Sequence, residues 1–209
     1  MLVFDFFAGT KSSTQPFEDA GHTVISFDND AQFDVTVSID LMTVDADMLI
    51  DRFGRPDFIW ASPPCTAFSV ASIGHHWFAT GMPKTVQAEQ AMELVRATRT
   101  LIETINPSRG FVIENPRGML RKLPMLEGLQ RHTVTYCQYG DDRMKPTDLW
   151  TNITAWTPRP ACSNGADCHV AAPRGSQTGT QGRAGAVARS MVPYELGVEI
   201  MNAIGDVHG

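Results

Sequence analysis

The sequence predicts an α/β fold built on a mostly parallel sheet with helices on both faces. Short apolar runs rich in β-branched and aromatic residues alternate with segments of helical periodicity. Most of the apolar runs end in a glycine, an acid or a proline, which is typical of strands that give way to loops.

Four candidate strands lie in the first 64 residues. The first is a buried run that stops at Gly9, and the fourth stops at Pro63-Pro64. Between the first two, hydroxyl residues that can cap a helix are followed by Gly21, which can close it. The strands are LVFDFFAG (2–9), HTVISFDND (22–30), VTVSIDL (35–41) and PDFIWASPP (56–64).

A long helix is predicted over residues 86–105, because apolar side chains recur there on one face and Asn106-Pro107 follows. Three further strands are expected after this helix. Residues 157–192 show no period and predict a long loop or a small irregular subdomain, and the pattern returns to helix over 192–205. The three strands are GFVIENP (110–116), HTVTYCQYG (132–140) and DLWTNI (148–153).

The composition is that of a single globular domain. The chain has 209 residues, of which 43% are hydrophobic and 19% charged. Its apolar runs are too short to cross a bilayer, and its N-terminus lacks the basic residues of a signal peptide. Four irregularly spaced cysteines do not indicate a disulfide framework. We therefore expect a cytoplasmic protein with no membrane partner.

Charge is unevenly distributed along the chain. The net charge is −6, which by itself argues against a nucleic-acid partner. Residues 1–60 hold 11 acids and 3 bases, whereas residues 107–192 hold 6 acids and 11 bases. This asymmetry suits a protein that binds a cationic small molecule with one half and phosphates with the other. Uneven scatter of surface charge is the alternative explanation.

Chemically capable groups follow almost every predicted strand. Ligands of open α/β sheets bind beyond the carboxyl ends of the strands, so these groups are expected to meet at one edge. Cys65 stands just past a strand, where nearby cations or helix N-termini can lower the pKa of its thiol. Glu114-Asn115 ends another strand, and a carboxyl kept protonated by burial can donate to a ring nitrogen. A thiol and a carboxylic acid together suit addition to C6 of a pyrimidine, with the acid hydrogen-bonded to N3.

Five segments, in this order, resemble the DNA cytosine-5 methyltransferases over roughly residues 2–153. They match that family's D-L-F-A-G strand turn, its acid after the second strand, its P-C-Q-x-F-S loop, its E-N-V strand end and its Q-x-R-x-R element. The combination of Pro64-Cys65, Phe68-Ser69 and Glu114-Asn115 is specific. The segments are FDFFAGTKSS, SFDND, SPPCTAFS, FVIENP and YGDDRMKPTDLWTN.

The resemblance implies a Rossmann-like methyltransferase fold that transfers a methyl group from S-adenosyl-L-methionine to C5 of a flipped-out cytosine. It assigns the nucleophile to Cys65 and the acid to Glu114, with Asn115 holding the loop. It also implies that Asp5 braces the first turn, Asp28 binds the ribose and Asp40 lies near the adenine. The complete expected cofactor set is Asp5, Phe7, Ala8, Gly9, Ser12, Asp28, Asn29, Asp40, Leu41, Ser62 and Pro64.

The chain departs from the family pattern in four places. Thr66 replaces the glutamine after the cysteine, and Pro116 replaces the valine of E-N-V. The arginine element reads Arg143-Met144-Lys145-Pro146-Thr147, so Lys145 or Arg143 is expected to contact the cytosine O2. The C-terminal G-N-S-V motif is missing, so the helix over 192–205 is expected to close the pocket differently.

The family resemblance also divides the chain. We expect a catalytic domain over 1–154, a reduced target-recognition region over 155–191 and a returning helix over 192–209. A chain this compact resembles phage or prophage methyltransferases of restriction-modification systems, acting as a monomer on double-stranded DNA. A flexible insertion that never touches DNA is the alternative for residues 155–191. The expected DNA contacts are Ser69, Arg159, Arg174, Arg183 and Arg189.

The loop after Cys65 is expected to be mobile and to close over the flipped base. His75, His76 and Trp77 either enter the duplex or pack onto the domain, and packing is favoured for Trp77 and Phe78. Cys162, Cys168 and His169 supply only three donors at an uncommon spacing, so we expect no metal. Cys137 is expected to lie in a strand as part of the core.

Three other functions remain open from the residues alone. The SPP segment before an aromatic marks amino-methyltransferases of cytosine N4 or adenine N6, which need no thiol. RNA cytosine-5 methylation is a second alternative, and a decayed relative that only binds DNA is a third.

Overall fold

The computed structural model describes residues 1–163, 165–171 and 185–205. Seven strands form one sheet in the order β3-β2-β1-β4-β5-β7-β6. The first five strands run parallel, and β7 is antiparallel to both of its neighbours. The strands are β1 (Leu2–Phe6), β2 (Thr23–Asp28), β3 (Val37–Ser38), β4 (Phe58–Ala61), β5 (Phe111–Pro116), β6 (Gln130–Thr135) and β7 (Pro146–Thr151).

The strand order reverses between β1 and β4. From β1 the chain proceeds outward through β2 and β3, and from β4 it proceeds in the opposite direction through β5. The register pairs Phe6 with Ala61, so the loops after β1 and β4 leave the sheet side by side. A reversal of this kind opens a crevice at the carboxyl edge of a parallel sheet.

Both faces of the sheet are covered by helices, which is why the central strands are continuously apolar. Phe4, Phe6 and Ile59 point to the face covered by α2 and α4, whereas Val3 and Trp60 point to the opposite face. The helices are α1 (Gln15–Asp19), α2 (Ala46–Phe53), α3 (Ile73–His76), α4 (Val86–Ile105), α5 (Ala186–Ser190) and α6 (Tyr194–Gly205).

Capping residues set the ends of the two helices on the first face. Thr85 accepts a hydrogen bond from Ala88 N at the start of α4, and Asn106 ends that helix in the left-handed conformation. Asp45 likewise accepts from Met48 N at the start of α2. The helix predicted over 86–105 is therefore confirmed. It ends because Asn106 adopts the left-handed conformation before Pro107.

The predicted mostly parallel sheet with helices on both faces is confirmed, with differences in its second half. Strand β6 ends at Thr135, and a 3₁₀ helix over Tyr136–Tyr139 replaces the remainder of the expected strand 132–140. Cys137 therefore lies in a 3₁₀ turn and not in a strand, although it is buried. The antiparallel direction of β7 and the helix α2 were not foreseen.

The C-terminal helix packs on α1 at the second face of the sheet. Gly197 allows this close approach, because a Cβ there would lie 2.7 Å from the carbonyl oxygen of Ser13. Trp156 donates to the Glu199 carboxylate at 2.9 Å and so ties the segment after β7 to the same helix. None of the helices in the described ranges combines the length and apolarity that a bilayer crossing requires.

A carboxylate is buried in the centre of the sheet. Asp5, in β1, is fully inaccessible and accepts hydrogen bonds from Thr14 at 2.6 Å and Ser13 at 3.4 Å through Oδ2. Among the described residues, its Oδ1 has no hydrogen-bond partner. Burial raises the pKa of Asp5 from 3.8 to about 7. The side chain braces the turn after β1, as the family resemblance implied.

We expect Asp5 to make the protein less stable as the pH rises. The unfolded chain releases the Asp5 proton near 3.8, whereas the folded chain keeps it until about 7. The free energy of unfolding should therefore fall across that interval, by up to about 4 kcal/mol from this group. Asp5→Asn can still accept from Thr14, so urea unfolding at several pH values should show a flatter pH dependence. An unchanged slope would contradict the assignment.

Candidate active site

The turn after β1 has an unusual backbone. Phe7 and Lys11 both have φ of 59°, and Gly9 has φ of 48°. Only glycine adopts this region without strain, so two side chains are held there at a cost of about 1–2 kcal/mol each. Asp28 stabilises the turn by accepting a hydrogen bond from Gly9 N at 2.9 Å. Strain retained at a strand end is characteristic of ligand-binding turns.

A cavity of about 330 Å³ opens at the carboxyl edge of the sheet. Six of the predicted cofactor residues line it, and they come from the ends of four strands. Three further lining residues, Gln90, Glu93 and Leu94, belong to α4 and were missed because a helix face carries no strand-end signal. The six predicted residues are Phe7, Asp28, Asn29, Asp40, Leu41 and Pro64.

The cavity walls combine apolar surface with carboxylates. Asp28, Asp40 and Glu93 surround a space that is otherwise lined largely by Phe7, Leu41 and other apolar groups. Carboxylates can accept from a ribose diol and attract a cation, and the apolar wall can hold a planar ring. These residues fit S-adenosyl-L-methionine, because carboxylates suit its sulfonium charge and ribose hydroxyls and the apolar wall suits its adenine ring.

The other five predicted cofactor residues lie outside the lining of this cavity. Asp5, Ala8 and Gly9 take part in hydrogen bonds that stabilise the turn after β1. Ser12 accepts a hydrogen bond from Val192 N at 2.9 Å, so it joins the turn to the C-terminal segment. Ser62 accepts from the Trp60 indole at 3.0 Å and hydrogen-bonds the Glu114 carboxylate. Ser12 and Ser62 are therefore better explained as positioning residues than as cofactor ligands.

Cys65 stands four residues beyond the end of β4, in a turn fastened to the neighbouring strand. Its carbonyl accepts from Phe68 N and Ser69 N, both at 2.9 Å. The Asn115 side chain donates to Pro63 O at 2.9 Å, which fixes the approach to the turn as the resemblance implied. Burial raises the pKa of the Cys65 thiol, the charge of Glu114 raises it further, and Lys145 opposes both.

Glu114 is the neighbouring acid, at the end of β5. It is 5% exposed and accepts a hydrogen bond from Tyr136 Oη at 3.0 Å. Burial raises its pKa, while Lys145 and the hydrogen bonds from Tyr136 and Ser62 oppose the rise. A carboxyl in this environment retains a proton more readily than one in water, which is the state that can donate to a ring nitrogen.

The two cations of the arginine-like element have different surroundings. Arg143 forms a buried ion pair with Asp141 and donates to the carbonyl oxygens of Ala188, Arg189 and Met191. Lys145 donates to Arg189 O at 3.1 Å and acts electrostatically on both Cys65 and Glu114. The donors of Arg143 therefore hold the C-terminal end of α5, and contact of Lys145 or Arg143 with the cytosine O2 stays a prediction.

The segment after Cys65 folds back on the domain. Trp77 is buried, donates to Ala67 O at 2.6 Å and stacks on Phe68, so the packing expectation for Trp77 is confirmed. Phe78 is 52% exposed, so for that residue the same expectation is wrong. His76 is buried against Thr85, with Nδ1 at 2.7 Å from Oγ1.

Gly118 is a functional position that the sequence did not reveal. Met119 N donates to Phe68 O at 2.7 Å, so the loop after β5 lies directly on the Cys65 loop. A Cβ at Gly118 would lie 2.1 Å from that same carbonyl oxygen. Glycine is required here for close backbone approach, and its only sequence signal was its place four residues after Glu114.

The residues expected to contact DNA have different surroundings in the structure. Arg159 forms ion pairs with Glu195 at 2.7 Å and Glu199 at 2.8 Å, so its guanidinium holds α6. Its contact with a DNA phosphate stays a prediction. Arg189 is exposed, and its charge lowers the pKa of Cys65. The Ser69 hydroxyl forms a hydrogen bond with the Ser72 hydroxyl in the loop after Cys65. The expected contacts Arg174 and Arg183 lie outside the described residues.

Comparisons with known proteins place these residues in context. The chain is 28% identical over 222 residues to a probable DNA (cytosine-5)-methyltransferase of Frog virus 3 (isolate Goorha), covering 97% of this chain and 99% of the relative. No family model matches the chain. The resemblance to the DNA cytosine-5 methyltransferases is confirmed.

Solved structures of methyltransferases share the fold. A putative DNA modification methyltransferase encoded within an E. coli prophage aligns with a TM-score of 0.55 at 15% identity over 78% of this chain. The Dnmt2 methyltransferase of S. pombe aligns with a TM-score of 0.50 at 13% identity over 76%. The chain spans about half the length of these structures, 52% of each. The fold is therefore the Rossmann-like fold of the methyltransferases.

Adding a methyl group at Gly118 should displace the loop that carries Cys65 and Phe68. We expect Gly118→Ala to lower the free energy of unfolding by about 1–3 kcal/mol, as overpacking does. The displacement should also change the reactivity of Cys65 toward a thiol reagent. Gly74→Ala is the matched control, because a Cβ at Gly74 meets nothing within 4 Å. Equal stability and equal Cys65 reactivity of the two variants would contradict the close contact.

The thiol of Cys65 should respond in opposite directions to two nearby substitutions. Glu114→Gln removes a charge that raises the pKa of Cys65, so alkylation at fixed, mildly alkaline pH should become faster. Lys145→Met removes a charge that lowers it, so alkylation should become slower. Iodoacetamide labelling with peptide-resolved mass spectrometry measures Cys65 separately from the other thiols. The exposed Glu127→Gln is the control, and identical rates in all variants would refute the coupling.

Proposed function

We propose that this chain transfers a methyl group from S-adenosyl-L-methionine to C5 of cytosine in double-stranded DNA through a covalent adduct on Cys65. The observation that carries the proposal is the pairing of Cys65 with a buried Glu114 at adjacent strand ends, beside a cavity lined by six predicted cofactor residues. The name of the Frog virus 3 relative supports the same reaction.

The proposed cofactor site uses the cavity at the carboxyl edge of the sheet. Asp28 would bind the ribose hydroxyls, Asp40 and Leu41 would flank the adenine, and Phe7 would cover the ring. Bound S-adenosyl-L-methionine supplies an electrophilic methyl group on a positively charged sulfur. The acids along the cavity wall favour that charge, and the strained β1 turn brings backbone close to the ligand.

In the proposed reaction on the cytosine, Cys65 is the nucleophile and Glu114 is the acid. The Cys65 sulfur forms a bond to C6 while Glu114 gives its proton to N3, and the C5–C6 π pair moves to C5. C5 would then bond to the methyl carbon as the bond between that carbon and the sulfonium sulfur breaks, with the bonding pair left on that sulfur. The C5 proton would pass to a water molecule and its bonding pair would restore the C5–C6 double bond. The C6–sulfur bond would break with its pair returning to the Cys65 thiolate, and N3 would return its proton to Glu114. The raised pKa of Glu114 suits the role of the acid, because burial favours the protonated form that can donate to N3.

Protonation of Glu114 also assists the nucleophile. The Glu114 charge raises the pKa of Cys65, so a neutral Glu114 makes the thiolate easier to form. Lys145 and Arg189 then remain as nearby cations that favour the thiolate. We propose Lys145, and not Arg143, as the group that contacts the cytosine O2.

The target base has to leave the duplex to reach Cys65, at a cost of a few kcal/mol. Arg189 and Ser69 lie beside the nucleophile loop and are the proposed contacts to the displaced strand. The reduced recognition region over 155–191, the monomeric state and the cytoplasmic location stay predictions. A virus or prophage origin is proposed from the sources of the Frog virus 3 relative and the prophage structure.

A duplex that contains 5-fluorocytosine should trap the proposed adduct. Fluorine at C5 cannot leave as a proton, so the sulfur–C6 bond should persist after methyl transfer and survive denaturing electrophoresis. Cys65→Ser should form no adduct, and the same duplex with ordinary cytosine is the substrate control. Modification without an adduct would instead favour transfer to an exocyclic amino group. Adduct formation on 5-fluorocytosine RNA and not on DNA would favour the RNA alternative.

A further inference from the structure

A cluster of sulfur and nitrogen donors lies outside the candidate active site. Cys137, Cys162, Cys168 and His169 place one ligand atom each within 4.8 Å of all the others. The sequence expectation of no metal rested on finding only three donors. That premise was wrong, because the 3₁₀ turn after β6 brings Cys137 to the other three.

We propose that Cys137, Cys162, Cys168 and His169 bind a structural Zn²⁺ ion. Three thiolates and one imidazole are an established donor set for structural zinc, which is bound tetrahedrally with all four positions filled by protein. The donor set is closed and separate from the strand-end cavity, so the role is structural and not catalytic.

The distances from the imidazole to two of the sulfurs agree with a tetrahedral site. Zinc–sulfur and zinc–nitrogen bonds of about 2.3 Å and 2.05 Å place neighbouring donors about 3.8 Å (S–S) and 3.5 Å (S–N) apart. The His169 Nδ1 lies 3.6 Å from Sγ of both Cys162 and Cys168. The two sulfurs lie 3.2 Å apart, which is shorter than the S–S distance of the tetrahedral site but far beyond the about 2.05 Å of a disulfide. All four cysteines of the chain are free thiols.

The surroundings of the cluster favour a cation at its centre. Gln138 Nε2 donates to Cys168 Sγ at 3.4 Å, the outer-shell contact expected for a ligating thiolate. Several thiolates at this spacing repel one another unless a metal ion neutralises them.

The proposed ion would fasten the segment after β7 to the back of the candidate active site. Cys137 follows Tyr136, the residue that hydrogen-bonds Glu114. Cys162 N donates to Thr135 Oγ1 at 2.8 Å and Val170 N donates to Asp142 O at 3.0 Å, so both ends of the segment already contact this region. The ion would hold the two together where the described residues of the segment over 157–171 form no helix or strand.

Metal analysis of the purified full chain tests the proposal. Protein prepared with reductant and Zn²⁺, then dialysed, should retain one zinc ion per chain by plasma mass spectrometry. Replacement by Co²⁺ should give the visible absorption of tetrahedral cobalt together with sulfur-to-cobalt charge transfer. Absence of both signals, or a Cys162–Cys168 disulfide in protein prepared in this way, would overturn it.

Matched variants separate the cluster from the active site. Cys137→Ser and Cys168→Ser should weaken zinc binding by more than the about 10–100-fold that loss of an outer-shell partner costs. Gln138→Ala should fall within that smaller range, and Cys65→Ser should retain zinc as the wild type does. Zinc retention by Cys137→Ser equal to that of the wild type would refute the fourth ligand.

Hydrogen exchange on the wild-type chain provides a readout that does not depend on a folded variant. Removing zinc with a chelator should increase exchange in peptides that cover 136–142 and 158–171. Peptides from β1 and α4 should stay protected. Unchanged exchange near the cluster after complete metal removal would contradict the structural role.

Discussion

The hydrogen bond from Asn115 to the carbonyl of Pro63 is the constraint on which the candidate site depends. It joins the loop after β4 to the end of β5, and therefore fixes Cys65 relative to Glu114. Adjacent parallel strands alone would place the two residues at the same edge, but not in a fixed relation. Gly118 completes the connection by letting the loop after β5 lie against Phe68 O. One side-chain hydrogen bond and one close backbone contact thus convert a shared edge into a defined site.

Burial makes this fixed relation chemically useful. Water would weaken the interactions among Cys65, Glu114 and Lys145, whereas a buried site strengthens each of them. The tendencies oppose one another: burial keeps a proton on both the thiol and the carboxyl, and Lys145 favours release from both. Such balanced groups change protonation when a ligand alters their surroundings. The fixed position of the loop after β4 and the balanced protonation of Cys65 and Glu114 are therefore complementary features of one site.

The sequence was informative where local chemistry determines the structure. Apolar runs predicted the strands, Asn106-Pro107 predicted the end of α4, and strand-end chemistry singled out Cys65 and Glu114. The family resemblance supplied the six predicted residues that line the cavity. It failed where tertiary contacts decide the role of a side chain. Arg143 and Arg159 are ordinary basic residues in the sequence, yet carboxylates and helix-end carbonyls hold them in the fold. Gly118 and Cys137 acquire their roles through neighbours distant in the chain.

Cys137 and Tyr136 show how one turn can serve two sites. A strand continuing through 136–140 would send alternate side chains to opposite faces of the sheet. The 3₁₀ helix instead turns the chain after Thr135, so that the Tyr136 hydroxyl reaches Glu114 while Cys137 reaches the donor cluster. A cluster that holds this turn would also hold the hydroxyl that partners the acid. The segment after β7 is thereby connected to the candidate active site through a single peptide unit.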